Sequence, residues 1–386
     1  MSSPTPTPPP APHLTTSTRD PHLLRQRLDA WLHAREPGAH TRSFHIPSSN
    51  GMSSETVLFD LAVPHRTGTA RQHLRPCVLR LAADPAAYAA FPVYDMERQY
   101  RTIQAVAANS KVPVPALQWL ETDTAPLGAP FFVMERIEGR VPPDIMPYTY
   151  GDNWLYDADP ADREHLEHAT VDVLAELHTV PVEAVAFLAG ETAGGSAGGP
   201  SDASGSALRD HVSAQRDYYH WVVDGRPRSP LIERAFDWLD AHWPADPGPT
   251  VLSWGDSRIG NILYAGFDPA AVLDWEMAAL GPRELDLGWL IYLHRFFQDL
   301  TEQTGYPGLP DFMTRPSIAA RYRDATGHTP RDLDFHTLYA ALRHANVMLR
   351  IGYRQIHFDE RPPPADPDDL IMHRTSLEAM IEDRYW

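Results

Sequence analysis

Three oxygen-bearing side chains in one short stretch could carry out phosphoryl transfer. Residues 252–276 contain Asp256, an asparagine five residues later (Asn261) and a second aspartate thirteen residues further on (Asp274). A carboxylate can accept the proton of a substrate hydroxyl, and an amide oxygen with a second carboxylate can hold Mg²⁺ on nucleotide phosphates. Any two of these residues could be unrelated turn residues. The combined pattern, beside apolar strand-like residues, favours one phosphoryl-transfer site.

The same stretch resembles the signature of the aminoglycoside phosphotransferase and related small-molecule kinase family. That signature is roughly His-Gly-Asp, four variable residues and Asn, then Asp-Trp-Glu, and later Gly-x-x-x-x-Asp-Leu. The corresponding residues here are Trp254-Gly255-Asp256, Asn261, Asp274-Trp275-Glu276 and the segment from Gly281 to Leu287. The resemblance covers residues 40–358 and looks closest to the branch related to kinase domains fused to acyl-CoA dehydrogenases. It implies a protein-kinase-like fold.

The resemblance also implies roles for individual residues. Asp256 would be the catalytic base, and Arg258 would be a second catalytic residue. Asn261 and Asp274 would ligate Mg²⁺, and Asp286 would anchor the catalytic loop. The implied cofactors are ATP and Mg²⁺. The implied acceptor is a hydroxyl of a small molecule, either an antibiotic or other natural product or a hydroxyacyl metabolite.

Trp254 departs from the family pattern, which usually has a histidine at this position. We expect the tryptophan to replace the bulk of that histidine but not its hydrogen bonds. His178 matches a helix end of the family and is predicted to be a structural histidine. His165 and His168, three residues apart, could ligate a metal, but a solvated helix face is the better interpretation.

Small residues between the first two predicted strands resemble the phosphate-covering loop of the family. Small side chains let backbone N–H groups approach an anion. The candidates are Asn50, Gly51, Ser53 and Ser54. A plain Ser-Asn-Gly turn explains the same residues equally well when the downstream motif is ignored.

Arg80 stands at the strand position where many relatives have lysine, and Glu97 matches the helix partner of that lysine. Arginine can bind both phosphate and carboxylate, often through two hydrogen bonds. We therefore predict an Arg80–Glu97 pair that holds the nucleotide phosphates. The alternative is a surface arginine at a strand edge. Lys111, the one lysine of the chain, lies beyond the helix and cannot replace Arg80.

The segment Phe131–Gly139 resembles the strand and hinge that join the two lobes in this family. By that match, backbone groups near Glu135 and Ile137 would bond adenine. Val78 and Leu263 would pack against the two faces of the adenine ring. Plain core packing is the default interpretation of Leu263.

Three arginines, Arg343, Arg350 and Arg354, lie on one stripe of a long predicted helix, since they are spaced seven and four residues apart. Facing the cleft, the stripe would repel a polycationic aminoglycoside and attract a carboxylate, phosphate or CoA-like group. Facing solvent, it would have no role in binding. The sequence leaves both interpretations open.

The elements that must position these residues form an α+β pattern. Residues 1–19 are a Pro/Thr/Ser tail that we expect to be disordered, and a helix begins at Asp20-Pro21. Short β-rich runs with one helix follow. We predict a bilobed protein-kinase-like fold, with an antiparallel-sheet N-lobe at 20–137 and a mainly helical C-lobe at 138–386.

Within the C-lobe we place a flexible insertion at 189–206, the catalytic loop at 252–264 and the metal-binding segment at 272–276. The predicted helices of this lobe lie near 161–179, 206–223, 229–243, 283–300, 315–326, 332–357 and 366–383.

Composition narrows the possible partners. A formal net charge of −18 disfavours a nucleic-acid surface. No apolar run approaches the roughly 18 residues of a membrane span. Cys77 is the one cysteine, which excludes an internal disulfide and fits a reducing compartment, and no signal-peptide pattern is present. The cytoplasm is therefore the expected location.

Two other functions compete with a small-molecule kinase. A nucleotide-binding pseudokinase acting as an interaction module would account for Trp254 and Arg80. A protein kinase is disfavoured, because Gly281 follows Asp274 too closely for a long activation loop.

Overall fold

The computed structural model describes residues 19–47, 54–64, 72–84, 88–189 and 206–386, and it shows a bilobed α+β fold. Most of the predicted tail, the candidates Asn50, Gly51 and Ser53, and most of the predicted insertion lie outside the described residues. The N-lobe elements are α1 (Pro21–Arg35), β1 (His40–His45), β2 (Glu55–Pro64), β3 (Gln72–Leu81), α2 (Met96–Asn109), β4 (Leu117–Glu121) and β5 (Phe131–Glu135).

The five N-lobe strands form one antiparallel sheet in the order β1-β2-β3-β5-β4. Alternate residues of β2, such as Val57 and Phe59, are fully buried because successive side chains point to opposite faces. Helix α1 packs against the sheet, with the Trp31 ring centroid 4.8 Å from that of Phe131. Since β3 lies between β2 and β5, Arg80 is on an inner strand, and the strand-edge interpretation of this arginine is wrong.

The described part of the C-lobe contains seven α-helices and two small antiparallel sheets. The helices are α3 (Pro160–Leu177), α4 (Ala207–Val222), α5 (Pro230–Ala241), α6 (Glu284–Gln303), α7 (Arg315–Thr326), α8 (Leu333–His357) and α9 (Arg374–Ile381). The strands are β6 (Val251–Ser253), β7 (Ile262–Ala265), β8 (Asp268–Val272) and β9 (Ala279–Gly281). Strand β6 pairs with β9, and β7 pairs with β8.

Helices α6 and α8 pack closely at the centre of the C-lobe. A Cβ on Gly288 of α6 would lie 2.7 Å from the carbonyl oxygen of His336 in α8. A glycine is therefore required for this close approach of the two helices. Most residues of α8 are buried as a result.

The hinge after β5 pairs with the strand that follows the catalytic loop. The Arg140 N–H donates to the Tyr264 carbonyl (2.9 Å), and the Tyr264 N–H donates to the Arg140 carbonyl (2.8 Å). This pair of hydrogen bonds joins the start of the C-lobe to β7.

The helices predicted for the C-lobe agree with the observed ones to within a few residues, but the last predicted helix, 366–383, is divided. A 3₁₀ turn at Pro367–Leu370 precedes α9. The Asp366 side chain accepts a hydrogen bond from the Asp368 N–H (3.0 Å) and caps the turn, and Ile371 then has an extended backbone. The three-residue strand β9 was not predicted.

Within the described residues, no helix has the length and apolar character that crossing a membrane requires.

Candidate active site

The catalytic loop begins with a tight turn at Gly255, directly after β6. Gly255 has a φ of +90°, a conformation that residues with a Cβ rarely adopt. A Cβ at this position would also clash with the carbonyl of Met277. The turn therefore brings the loop that carries Asp256 against the chain that follows Asp274.

Asp286, in the first turn of α6, binds this turn. Its carboxylate accepts hydrogen bonds from the N–H groups of Trp254 and Gly255 (both 2.9 Å), from the Ser253 hydroxyl (2.8 Å) and from His178 Nε2 (3.1 Å). Burial alone would raise the pKa of Asp286, but His178 and the two N–H donors lower the pKa below its usual value. The predictions of a structural anchor at Asp286 and a structural histidine at His178 are confirmed.

The carboxylate of Asp256 lies among three side-chain donors. It accepts hydrogen bonds from Asn261 Nδ2 (2.7 Å), Arg258 Nε (3.0 Å) and Trp289 Nε1 (2.8 Å). Burial, together with the negative charge of Asp274, raises the pKa of Asp256 to about 6. A carboxylate with this pKa is mostly ionised at pH 7 and can still accept a proton effectively.

Asn261 and Asp274 carry the side-chain oxygens of the predicted Mg²⁺ site. The Asn261 Nδ2 donates hydrogen bonds to Asp256, so the amide oxygen of Asn261 is the atom that can serve as a metal ligand. The Asp274 side chain is 24% exposed. Because the charge of Asp274 raises the pKa of Asp256, a divalent cation here would relieve the repulsion between the two carboxylates.

The described residues contain no cluster of three or more His, Cys, Asp or Glu side chains that could hold a metal alone. Two protein oxygens nevertheless fit Mg²⁺, which usually keeps several waters and binds substrate phosphates. His165, an alternative metal ligand in the sequence, instead pairs with Asp268 at the surface (2.7 Å).

Trp254 binds the metal-binding segment directly. Its indole Nε1 donates to the carbonyls of Leu273 (2.9 Å) and Asp274 (3.1 Å). Trp254 therefore supplies hydrogen bonds of its own in addition to the bulk expected from the sequence. The indole N–H lies on the edge of the ring system, away from the backbone, and this reach lets a buried tryptophan satisfy two carbonyls of a neighbouring segment.

Arg80 pairs with Asp274 and not with Glu97. Its Nη2 lies 3.5 Å from Asp274 Oδ1, and its Nη1 donates to the Thr56 hydroxyl (2.8 Å). Glu97 is exposed in the first turn of α2, whereas Gln99 is on the buried face of that helix. The predicted Arg80–Glu97 pair is wrong because Glu97 lies off the buried stripe of α2.

Ser54 is the one predicted residue of the phosphate-covering loop that the structure describes. Its side chain is 1% exposed, and its hydroxyl has no hydrogen-bond partner among the described residues. A buried hydroxyl without a partner is costly, so this position suits a ligand oxygen. The role of the loop in phosphate binding stays a prediction.

One backbone donor of the predicted hinge is engaged within the N-lobe. The Glu135 N–H donates to the Ala116 carbonyl (2.9 Å), so this donor is not available to adenine. Ile137, the next predicted contact, is partly exposed. Val78 is buried in β3, and Leu263 is partly buried in β7. Adenine binding by backbone groups near Glu135 and Ile137, and by the side chains of Val78 and Leu263, stays a prediction.

Arg258 connects Asp256 to a loop that sequence reasoning missed. Its Nη1 forms an ion pair with Asp144, in the segment after the hinge. No motif surrounds Asp144, so the sequence offers no signal for it. Trp289 was also missed, although it follows Asp286 by three residues and lies on the same helix face.

The three arginines of α8 are buried, with exposed fractions of 2% for Arg343, 8% for Arg350 and 5% for Arg354. The solvent-facing interpretation is wrong. Arg343 Nη2 donates to the Gly255 carbonyl (2.9 Å), whereas Arg350 donates to the Ala89 carbonyl (2.8 Å). Of these two, Arg343 is the one that contacts the catalytic loop.

Known proteins resemble this chain in sequence and in fold. Probable acyl-CoA dehydrogenase IBR3 of Arabidopsis thaliana is 25% identical over 274 residues, which are 67% of this chain and 31% of that protein. The chain thus spans about a third of the length of this relative.

Two crystal structures share the fold. A protein from Ralstonia eutropha JMP134, assigned as an aminoglycoside phosphotransferase, has a TM-score of 0.63 at 23% identity, covering 93% of this chain and 97% of that one. A thermostable mutant of aminoglycoside phosphotransferase APH(4)-Ia, in a ternary complex with ADP and hygromycin B, has a TM-score of 0.54 at 15% identity, covering 92% and 98%.

The sequence motif and the fold agree with the family model. A model described as the phosphotransferase enzyme family matches residues 65–339, which is more than half of the chain. The resemblance drawn from Asp256, Asn261 and Asp274 is therefore confirmed at the level of the family. This protein belongs to the phosphotransferase enzyme family.

Proposed function

We propose that this protein transfers the γ-phosphate of ATP, with Mg²⁺, to a hydroxyl group of a small molecule. One observation carries the proposal: the Asp256 carboxylate is held by three donors, and burial, together with the charge of Asp274, raises the pKa of Asp256 to about 6. This arrangement suits a general base beside a metal-binding carboxylate.

In the proposed reaction, Asp256 orients the acceptor hydroxyl and takes its proton. The hydroxyl oxygen forms a bond to the γ-phosphorus while the bond from that phosphorus to the β–γ bridging oxygen breaks, and ADP leaves. Arg258 places a positive charge beside the base, where it can stabilise negative charge on the transferred group. Arg80 supplies a second positive charge for the nucleotide phosphates.

Asn261 and Asp274 would hold the Mg²⁺ ion. The bound ion would neutralise phosphate charge during transfer. The protein's own contribution is to keep these two side chains in place, through the bond of Asn261 to Asp256 and that of Trp254 to the Asp274 carbonyl.

A nucleotide-binding module without transferase activity is the second candidate. The observation in its favour is the contact between Arg80 and Asp274, because a guanidinium beside a metal-binding carboxylate competes with the metal for its charge. Binding of ATP without transfer to any acceptor or to water would support this candidate.

The test is phosphoryl transfer from ATP, with Mg²⁺, to a panel of aminoglycosides, macrolides and hydroxyacyl compounds. We expect Asp256→Asn to keep nucleotide binding and to lower transfer by about two orders of magnitude or more. The control is Asp268→Asn, which changes an exposed aspartate of β8. Near wild-type transfer by Asp256→Asn would contradict the proposal.

A further inference from the structure

Trp289 of α6 donates a hydrogen bond to the proposed base. Its indole Nε1 lies 2.8 Å from Asp256 Oδ1, and the residue is 4% exposed. It follows Asp286 by three residues, which places both side chains on one face of α6. This face therefore holds the loop backbone through Asp286 and the Asp256 carboxylate through Trp289.

Arg343 of α8 supports the same turn from a second helix. Its Nη2 donates to the Gly255 carbonyl at 2.9 Å, and its guanidinium carbon lies 4.4 Å from the centroid of the Trp289 ring. The residue is 2% exposed, and its Nε has no hydrogen-bond partner among the described residues. A buried guanidinium with an unsatisfied donor costs stability. Its identified contacts with Gly255 and Trp289 point to a role at the catalytic turn.

Arg258 and Asn261 also bind the Asp256 carboxylate, but they belong to the same loop. Arg258 is tied outside this loop to Asp144, in the segment after the hinge, whereas the side-chain bonds of Asn261 go to Asp256 itself. Trp289 and Arg343 belong to α6 and α8, which pack closely against each other. Their contacts tie the base and its turn to a rigid pair of helices.

We propose that Trp289 and Arg343 are positioning residues that hold the Asp256 carboxylate in the orientation needed to accept the proton of the acceptor hydroxyl. The proposal rests on the proposed function. A general base must lie within hydrogen-bond reach of the proton, and a misplacement of about 1 Å can cost roughly 100-fold in rate. Neither residue needs to touch the substrate.

Trp289→Phe is the main test, because it keeps an aromatic ring and removes the N–H donor. We expect kcat to fall by roughly 10-fold to 100-fold, with the KM for ATP within about two-fold of the wild type. The control is Trp238→Phe in α5, where the ring stacks on His242 with a centroid distance of 4.0 Å. An unchanged kcat in a folded Trp289→Phe protein would overturn the proposal.

Arg343 is tested by Arg343→Met and Arg343→Lys. The lysine variant should recover part of the kcat that the methionine variant loses, since an ammonium can still donate to the Gly255 carbonyl. If Arg343→Met does not fold, Arg343→Lys alone decides, with a lowered kcat at constant KM as the expected result. Combined with Trp289→Phe, either variant should lower kcat by less than the product of the two separate effects, because the residues are in contact.

A second measurement does not depend on activity. In ¹⁵N-tryptophan-labelled protein, the indole N–H resonance of Trp289 is identified by its loss in Trp289→Phe. Asp256→Asn should shift this resonance and leave that of Trp238 in place. An unshifted resonance would overturn the hydrogen bond, and hence the proposal. If no phosphoryl transfer is found but the resonance shifts, the proposed function fails while the contact stands.

Discussion

At the residue scale, the contact between Arg80 and Asp274 joins a proposed phosphate-binding cation to a proposed metal ligand. The two atoms are 3.5 Å apart, at the long limit of a hydrogen bond, and the side chains are 14% and 24% exposed. A bound nucleotide with its metal would offer each side chain a stronger partner. The Arg80–Asp274 ion pair is therefore compatible with nucleotide binding. Breaking this pair should affect nucleotide binding less than removing the charge of Arg80 or of Asp274 does.

The first prediction concerns Arg80 and its two possible partners. Arg80→Met should weaken ATP binding by about ten-fold or more, since hydrogen bonds to charged groups are worth about 1.5–3 kcal/mol. Arg80→Lys should retain part of the affinity. Glu97→Gln should change little, and its effect should simply add to that of Arg80→Met, because Glu97 is exposed and Arg80 pairs with Asp274 instead. Isothermal titration with ATP measures all of these variants. A non-additive effect would contradict this prediction and would support an interaction between Arg80 and Glu97.

The second prediction concerns the metal ligands. Asp274→Asn and Asn261→Ala should weaken binding of Mg²⁺-ATP far more than binding of metal-free ATP, because both side chains supply oxygens to the ion. Titration with and without Mg²⁺ measures the ratio of the two affinities. Asp268→Asn, an exposed aspartate, serves as the matched control. Equal losses under both conditions would mean that the substitutions only disturb the loop.

The sequence predicted the residues of the site that lie in one continuous segment. Asp256, Asn261 and Asp274 could be recognised because their spacing is itself the signal. Trp289 and Arg343 reach the same carboxylate or its turn from α6 and α8, and only tertiary packing brings these helices to the loop. No local spacing could have revealed that contact.

At the element scale, the packing of a helix decides what its polar stripe does. The spacing of Arg343, Arg350 and Arg354 correctly placed them on one stripe of α8. Their burial could not be predicted, because it depends on the elements that cover α8 on several sides. The turn between β6 and the catalytic loop differs from α8, because there a single residue, Gly255, determines the path of the backbone.

The third prediction separates two effects of a Cβ at position 255: backbone strain at positive φ and a clash with the Met277 carbonyl. Gly255→Ala should lower the free energy of unfolding by more than about 2 kcal/mol, because strain at positive φ is joined by a clash with the Met277 carbonyl. Gly305→Ala is the matched control, since Gly305 has a φ of +85° and no described atom lies within 4 Å of the position that a Cβ would take. It should cost only the strain, about 1–2 kcal/mol. Urea unfolding measures both, and equal losses would show that the clash is relieved.

At the scale of the whole molecule, the C-lobe core contains histidines that are neutral in the folded state. Burial lowers the pKa of His211 and His294 to about 3 and that of His336 and His373 to about 4. Burial and the neighbouring His373 also lower the pKa of His344 well below its usual value. Some of these rings bond tyrosine hydroxyls, as His211 does with Tyr339 (2.6 Å) and His294 with Tyr148 (2.8 Å). The core therefore contains imidazoles whose protonation is disfavoured in the folded state.

The fourth prediction follows from the low pKa values of these buried histidines. In the unfolded chain a histidine has a pKa of about 6.5, so between pH 6.5 and about 4 these residues are protonated only when the protein unfolds. The unfolded state then binds more protons, and stability falls as the pH falls, by up to about 1.4 kcal/mol per pH unit for each histidine. The raised pKa values of Asp256 and Asp368 act in the opposite direction, but these are two groups against five.

Urea unfolding at pH 7.5, 6, 5 and 4.5 measures this dependence. The free energy of unfolding should be nearly constant above pH 7 and should fall steeply below pH 6.5. His294→Gln can keep a polar partner for Tyr148 but cannot be protonated in either state, so it should reduce the slope by about one proton. His220→Gln, at an exposed position of α4, is the control and should leave the slope as it is. A stability that stays flat down to pH 4.5 would mean that the buried rings take up protons in the folded state.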